Sequence, residues 1–433
     1  MKNAFIYFLI FLSTSSEVLL AQKEEKNFIF GDSYIKEKGS LIKSPIKFSE
    51  KNTYGFDFGT SKKVRINTQD FTANESVYFS TIVPEGNYKI EVVLGSPTKS
   101  SETTIKAESK RIMRDRIKVD KGGSQTEVFI VNIRKPSIGN GENVSLKDRE
   151  TDDLDWDNKL TLEFSGDVAV QKICVTSVNN VKTVYLAGDS TMTDQDLEPW
   201  ASWGQAVTQY FNNKVAISNH AFSGAALVSF KGRKRLEKIK NQIQSGDYLV
   251  IGFAHNDEKL KGQGIGPWKS YTKLLKEFMR AAKERNANPI LITPTQRRSF
   301  NNDGSLNPTH GDYPAAIRKV AEEMNVPLID LTVMTTRMYE SWGDENSRKA
   351  FVQYPANTFP GQDKKLEDNT HFNGFGANEI ALAFIHGLRE QNLPLAKYLN
   401  ENAPDYDPAH PNELSSWQVP LSPRFENAKP DGN

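Results

Sequence analysis

The sequence predicts two folds in series, an all-β sandwich followed by a doubly wound α/β domain with a five-stranded parallel sheet. Three observations carry this. Before Asn180 the apolar runs are short, strand-like and separated by turn residues. After Lys182 five apolar runs alternate with helical stretches, the pattern of parallel strands covered on both faces. Polar residues then gather where those runs end, which is where open α/β sheets place their ligands.

Composition sets the bounds. The chain has 433 residues, enough for two or three domains with large cores. Lys+Arg 55 against Asp+Glu 54 leaves a formal charge of +1, so nothing in the overall charge points to nucleic acid. A hydrophobic content of 37% with 10% aromatics is that of an ordinary globular protein. The one cysteine, Cys174, rules out a disulfide framework and a multi-cysteine metal site. Its place in Ile173-Cys174-Val175 reads as a buried thiol. The six histidines are dispersed without an HExxH pair, so a metal site is not expected.

Residues 1–21 read as a signal peptide. Lys2 supplies the positive start, residues 4–12 are apolar but too short to span a bilayer, and Ala21 precedes Gln22-Lys23-Glu24-Glu25. No later run is long enough for a membrane span. The expectation is an exported protein, periplasmic or secreted.

Residues 22–180 form the predicted sandwich. Val77-Tyr78-Phe79-Ser80-Thr81-Ile82-Val83, a Pro84-Glu85-Gly86-Asn87 turn and Tyr88-Lys89-Ile90-Glu91-Val92-Val93-Leu94 read as a hairpin. Residues 127–133 and 160–164 are further strands. Such a region can bind sugar or brace its neighbour. Lys106, Lys110, Arg111, Arg114, Arg116 and Lys118 read as a solvated strand face, with an open patch for an acidic polysaccharide as the alternative. Trp156, near Leu160 and Leu162, reads as core rather than as a platform for a sugar ring.

Residues 181–395 form the predicted α/β domain. Strands are expected at 183–187, 214–218, 248–251, 289–292 and 326–329, and helices at 203–211, 233–244, 271–285 and 375–388. Residues 396–433 are rich in Pro, Asp and Asn and carry Trp417 and Phe425. They read either as a segment packed across both domains or as a disordered one.

The strand ends carry the chemistry. The first ends in Gly188-Asp189-Ser190, the second in Asn219-His220-Ala221-Phe222-Ser223-Gly224, the third in Phe253-Ala254-His255-Asn256-Asp257. Near the end of the domain stands Asp368-Asn369-Thr370-His371, whose spacing would put a carboxylate and an imidazole on one side of a helical turn. The aspartate can fix the imidazole tautomer, leaving the other ring nitrogen to take a serine proton. Met192 stands where an α/β-hydrolase elbow needs its second glycine, so that pattern is absent.

These four blocks resemble those of the GDSL, or SGNH, hydrolases, over roughly residues 181–393. The resemblance implies a flavodoxin-like hydrolase domain with Ser190 as nucleophile, His371 as base and Asp368 as its orienter. It also implies an oxyanion hole from Ser190, Gly224 and Asn256. Within the superfamily, Phe253-Ala254-His255-Asn256-Asp257 and Asp368-Asn369-Thr370-His371-Phe372 are most similar to rhamnogalacturonan acetylesterases, whose bacterial members carry a similar β-domain in front. That implies removal of O-acetyl groups from pectic polysaccharide or oligosaccharide, without a cofactor.

Two positions depart from the family. Gly224-Ala225-Ala226 stands where Gly-Arg-Ser is usual, which removes a cation near the sugar. Ala254 replaces a usual glycine, which demands a negative φ or strain. His255, Arg297 and Arg298 are the candidate substrate contacts, the arginines as positive charge for a uronate. Two other readings share the fold, a lipase or thioesterase on other acyl esters and a glycan-binding protein without catalysis.

Overall fold

Five aliphatic runs with no polar face become the strands of a parallel sheet in the computed structural model. They are β1 (Lys182–Gly188), β2 (Val215–Asn219), β3 (Tyr248–Gly252), β4 (Asn288–Ile292) and β5 (Leu328–Ile329). Their spatial order is β2-β1-β3-β4-β5, all parallel. The structure describes residues 24–32, 39–414 and 416–431, so the expected signal peptide lies outside the described residues.

Alternation along each strand feeds two cores. Val184 and Leu186 of β1 face the cluster built with α1 (Trp203–Ala206), α6 (Leu331–Ser347) and α7 (Gly374–Glu390). Tyr185 and Ala187 face the opposite cluster, with α2 (Leu227–Gly232), α3 (Arg235–Gln242), α4 (Thr272–Lys283) and α5 (Tyr313–Met324). The sheet is thus doubly wound, as expected. Helices α2, α5 and α6 have no counterpart among the elements named from sequence. Nor does the antiparallel pair β6 (Phe351–Tyr354) and β7 (Leu366–Phe372). No described helix is long and apolar enough to cross a membrane.

The N-terminal region is β-rich, with its own aromatic core of Phe28, Phe30, Phe56, Phe71, Phe79 and Phe164. The expected hairpin is not one. Both strands form, at Val77–Ile82 and Gly86–Leu94, but they do not pair with each other. A 19-residue strand, Lys159–Ser177, takes both. Its first part pairs with Val77–Ile82 and Ser101–Ala107, its second with Gly86–Leu94 and Glu25–Phe30. The change of partners falls at Gly166, whose φ of +94° bends the strand and whose Cβ would stand 2.5 Å from the Glu102 carbonyl oxygen. The Pro84 corner therefore carries the chain from one end of the long strand to the other.

The basic cluster divides: Arg116 and Lys118 are exposed, as a solvated strand face requires, but its other end is not. Lys106, Lys110 and Arg111 are buried at 2%, 6% and 1% exposure, so they are neither solvated nor open to a polymer. Each is held by carboxylates. Lys106 lies 3.5 Å from Glu163, Lys110 lies 3.2 Å from Glu198, and Arg111 bonds Asp155 and, at 2.9 Å, Asp194. Asp194 and Glu198 belong to the loop after β1, so Lys110 and Arg111 join the β-rich region to that loop. Arg114 and Arg116 pair with Glu127 and Asp115 instead, and Lys118 is exposed. Trp156 is core, with the guanidinium groups of Arg134 and Arg235 at 5.0 and 5.1 Å from its ring.

The C-terminal segment packs across both regions. Ser422 bonds Glu163 and accepts from Lys106, Arg424 pairs with Asp196, and Phe425 lies 5.6 Å from Phe359.

Candidate active site

Chain order reverses between β1 and β3, the switch point beside which open α/β sheets place their ligands. The turn after β1 is tied by its own aspartate. Asp189 Oδ1 accepts from the Thr191 N–H at 3.0 Å and hydroxyl at 2.9 Å, and its carbonyl accepts from Met192 and Thr193. Asp189 Oδ2 lies 3.2 Å from Nδ1 of His255. This frame holds Ser190 Oγ 2.8 Å from His371 Nε2.

Asp368 and His371 do not share a helical turn. Both lie in β7, paired with β6 across an irregular register. The carboxylate makes its own turn: Asp368 Oδ1 accepts from the N–H of Thr370 at 2.7 Å and of His371 at 2.9 Å. Oδ2 then meets His371 Nδ1 at 2.8 Å. Burial alone would raise this carboxyl, but the bond to His371, its charge and the two backbone N–H groups bring it down to about 2. The aspartate is therefore ionised, the ring proton sits on Nδ1, and Nε2 faces the serine as acceptor. Helix α7 begins directly afterwards, capped by Asn373, whose side chain accepts from the Gly376 N–H.

Three N–H hydrogens at the strand ends are without an acceptor among the described residues. No acceptor among the described residues takes the backbone N–H of Ser190 or of Gly224. Gly224 has φ +81°, a conformation that favours glycine. Asn256 gives one amide hydrogen to the Ala225 carbonyl at 3.1 Å, leaving the other for a ligand. Removing that donor with Asn256→Ala is expected to lower kcat by about 100- to 1,000-fold. Steady-state kinetics on nitrophenyl acetate checks this, and a fall of kcat below about fivefold would remove Asn256 from the hole. Ala254 is not among the described residues with positive φ, so alanine fits there without strain.

The expected substrate contacts face elsewhere. His255 is 2% exposed, edge-on to His310 at 4.7 Å, and burial lowers its pKa despite Asp189. It buttresses the nucleophile turn. Arg298 is also buried. Its guanidinium bonds Asp344 and, at 3.0 Å, Asn369 Oδ1, and its N–H donates to the Asn369 carbonyl, so it braces β7 between Asp368 and His371. Arg297 sits nearer the rim, but its charge is matched by Glu258 at 2.5 Å.

The motifs missed three contributors. Gln195 Nε2 donates to the Ser190 carbonyl at 2.9 Å, and Trp200 sets its ring edge-on to His371 at 5.9 Å. The C-terminal segment brings Lys429 Nζ to 3.3 Å from Asp368 Oδ2. No local pattern marks any of the three.

Residues 186–377 match the model of the GDSL-like Lipase/Acylhydrolase family. The chain is 41% identical over 218 residues to rhamnogalacturonan acetylesterase RhgT of Bacillus subtilis (strain 168), covering 50% of this chain and 93% of that one. It is 33% identical over 217 residues to the probable rhamnogalacturonan acetylesterase YesY of the same organism, covering 49% and 95%. The crystal structure of the Bacillus subtilis protein YXIM covers 86% of this chain and 99% of that chain, at 20% identity and a TM-score of 0.46. A serine at the end of the first parallel strand, answered by an imidazole from near the domain's end, thus lies inside the matched stretch, and the chain belongs to the GDSL-like lipase/acylhydrolase family.

Proposed function

We propose that this chain is an exported serine carbohydrate esterase that removes O-acetyl groups from rhamnogalacturonan. The observation that carries the chemistry is the unbroken relay from Ser190 Oγ through His371 to Asp368, with bonds of 2.8 and 2.8 Å. His371 Nε2 takes the hydroxyl proton as Oγ attacks the acetyl carbonyl, and Asp368 stabilises the imidazolium. The tetrahedral oxyanion is received by the N–H groups of Ser190 and Gly224 and the amide of Asn256. His371 returns its proton to the leaving sugar oxygen, the acetyl group stays on Ser190, and a water activated by His371 releases acetate. The names of the two Bacillus relatives support the pectic substrate, and the N-terminal segment supports export.

The test is acetate release from acetylated rhamnogalacturonan beside acetylated xylan, with acetyl and octanoyl nitrophenyl esters in parallel. Release from the pectic polymer and faster acetyl than octanoyl turnover are expected. Faster octanoyl turnover would replace the carbohydrate reading by a lipase or thioesterase.

A further inference from the structure

The uncharged loop after β2 is supplied with a cation from the β-rich region. Ala225 and Ala226 are buried and uncharged. Lys147, from the β-rich region, reaches over them and donates to the Ser223 carbonyl at 2.7 Å. Its Nζ stands 3.0 Å from the point where a Cβ on Gly224 would be. The ammonium group is also 5.3 Å from the ring of Phe222, which keeps the stem in place.

This cation already holds a carboxylate. Asp431 Oδ2 accepts from Lys147 Nζ at 2.7 Å, and the Asp431 Cβ lies 3.1 Å from the same point on Gly224. The bond to Lys147, against a smaller effect of burial and with added positive charge from Arg149 and Arg233, keeps the Asp431 carboxyl below its usual range. Two residues earlier, Lys429 is 3.3 Å from Asp368 Oδ2. Residues 429–431 therefore cross the site from the orienting aspartate to an oxyanion donor. Ser190 is 2% exposed, whereas the side chains of Lys147 and Asp431 are 20% and 53% exposed.

We propose that Lys147 receives the carboxylate of a uronate in the substrate, and that Asp431 occupies this subsite as an internal stand-in which the incoming sugar displaces. The proposal deepens, and rests on, the reading of the chain as a rhamnogalacturonan esterase. Exchange of one carboxylate for another leaves the ion pairing of Lys147 unchanged, and the released Asp431, already half in solvent, loses little. An ammonium group is suited to this because it accepts carboxylates over a wide range of approach angles. A uronate so placed sits one residue from the oxyanion donor Gly224, which fixes the sugar relative to the reacting acetyl group. A neutral acetylated glycan offers this cation oxygen acceptors but no charge to replace that of Asp431.

Full-length protein hydrolysing nitrophenyl acetate is titrated with galacturonate and, as the neutral control, with galactose at matched ionic strength. Galacturonate is expected to inhibit the wild type and galactose is not. Asp431→Asn is expected to lower the galacturonate inhibition constant about fivefold, and Lys147→Gln to raise it about tenfold, with Lys147→Arg restoring most of the effect. On acetylated rhamnogalacturonan, Lys147→Gln should raise KM more than it changes kcat. Equal inhibition of wild type and Lys147→Gln, or no response to Asp431→Asn, would overturn the subsite. The galacturonate pattern without any release of acetate from rhamnogalacturonan would leave the subsite standing and remove the polymer assignment. Deacetylation of the polymer without the galacturonate pattern would do the reverse.

Discussion

Ser190→Ala is expected to lower kcat for acetyl-ester hydrolysis by about 10⁴- to 10⁶-fold, leaving only what an oxyanion hole and binding supply. The size follows from the geometry. Oγ lies 2.8 Å from His371 Nε2, placed to give up its proton and carry the acetyl group. Folding should hardly change, because the substitution deletes one hydrogen bond, worth about 1 kcal/mol. Acetate release measured beside the thermal midpoint separates the two effects. Residual kcat above about 1% of wild type would exclude Ser190 as the nucleophile. A glycan-binding protein without catalysis would instead show no hydrolysis to lose.

Glu150→Ala is expected to destabilise the protein by about 3–5 kcal/mol, through a charge stranded in the interior. Glu150, in the β-rich region, grips Arg235 of α3 with two bonds of 2.5 and 2.6 Å. The Arg235 side chain is 0% exposed and lies 5.1 and 4.5 Å from the rings of Trp156 and Phe222. Burial disfavours the charged guanidinium, and Glu150 is what opposes it. Without that carboxylate only neutral partners remain, chiefly the His220 carbonyl at 2.9 Å. Denaturant unfolding gives the loss. Adding Arg235→Met should recover most of it, because an apolar pair tolerates burial that a lone cation does not. A loss under about 1 kcal/mol in the single variant would show that this pair does not hold the two regions together.

The same contact matters for the site. Arg235 reaches the carbonyls of His220 and Ala221, which lead into Ser223 and Gly224. The β-rich region therefore braces the second-block loop, alongside Lys147 at Ser223 and Arg111 at Asp194. Sequence presented it as a separate module whose cations faced water or a polymer. Lys110, Arg111 and Lys147 instead bond the loops after the first two strands of the parallel sheet, whereas Arg116 and Lys118 do face water.

Errors in the sequence reading share one origin. Residues 77–94 contain two good strands and a good turn, and local pattern favours pairing them. The strand that outcompetes this pairing, Lys159–Ser177, lies some eighty residues on and is visible only as a partner. The i, i+3 spacing of Asp368 and His371 suits a helical turn and equally suits a carboxylate that bonds the next backbone N–H groups. Pairing of β7 with β6 decides between them. For His255, Arg297 and Arg298, residue type suggested substrate contact, whereas burial and the partners Asp189, Glu258 and Asn369 turn them inward or neutralise them.

Local pattern was enough for the parallel sheet and for the polar residues at its strand ends, because each is written in a few consecutive residues. Apolar runs without a polar face must be covered on both sides, and Gly188-Asp189-Ser190, Gly224 and Asn256 stand at or just beyond the places where such runs stop, while the Asp368–His371 pair is marked by its own short spacing. What each cation does was settled only in three dimensions. Lys106 meets Ser422 316 residues away and Lys147 meets Asp431 284 residues away. A charge takes its role from its burial and its partner, and neither leaves a trace in the neighbouring sequence.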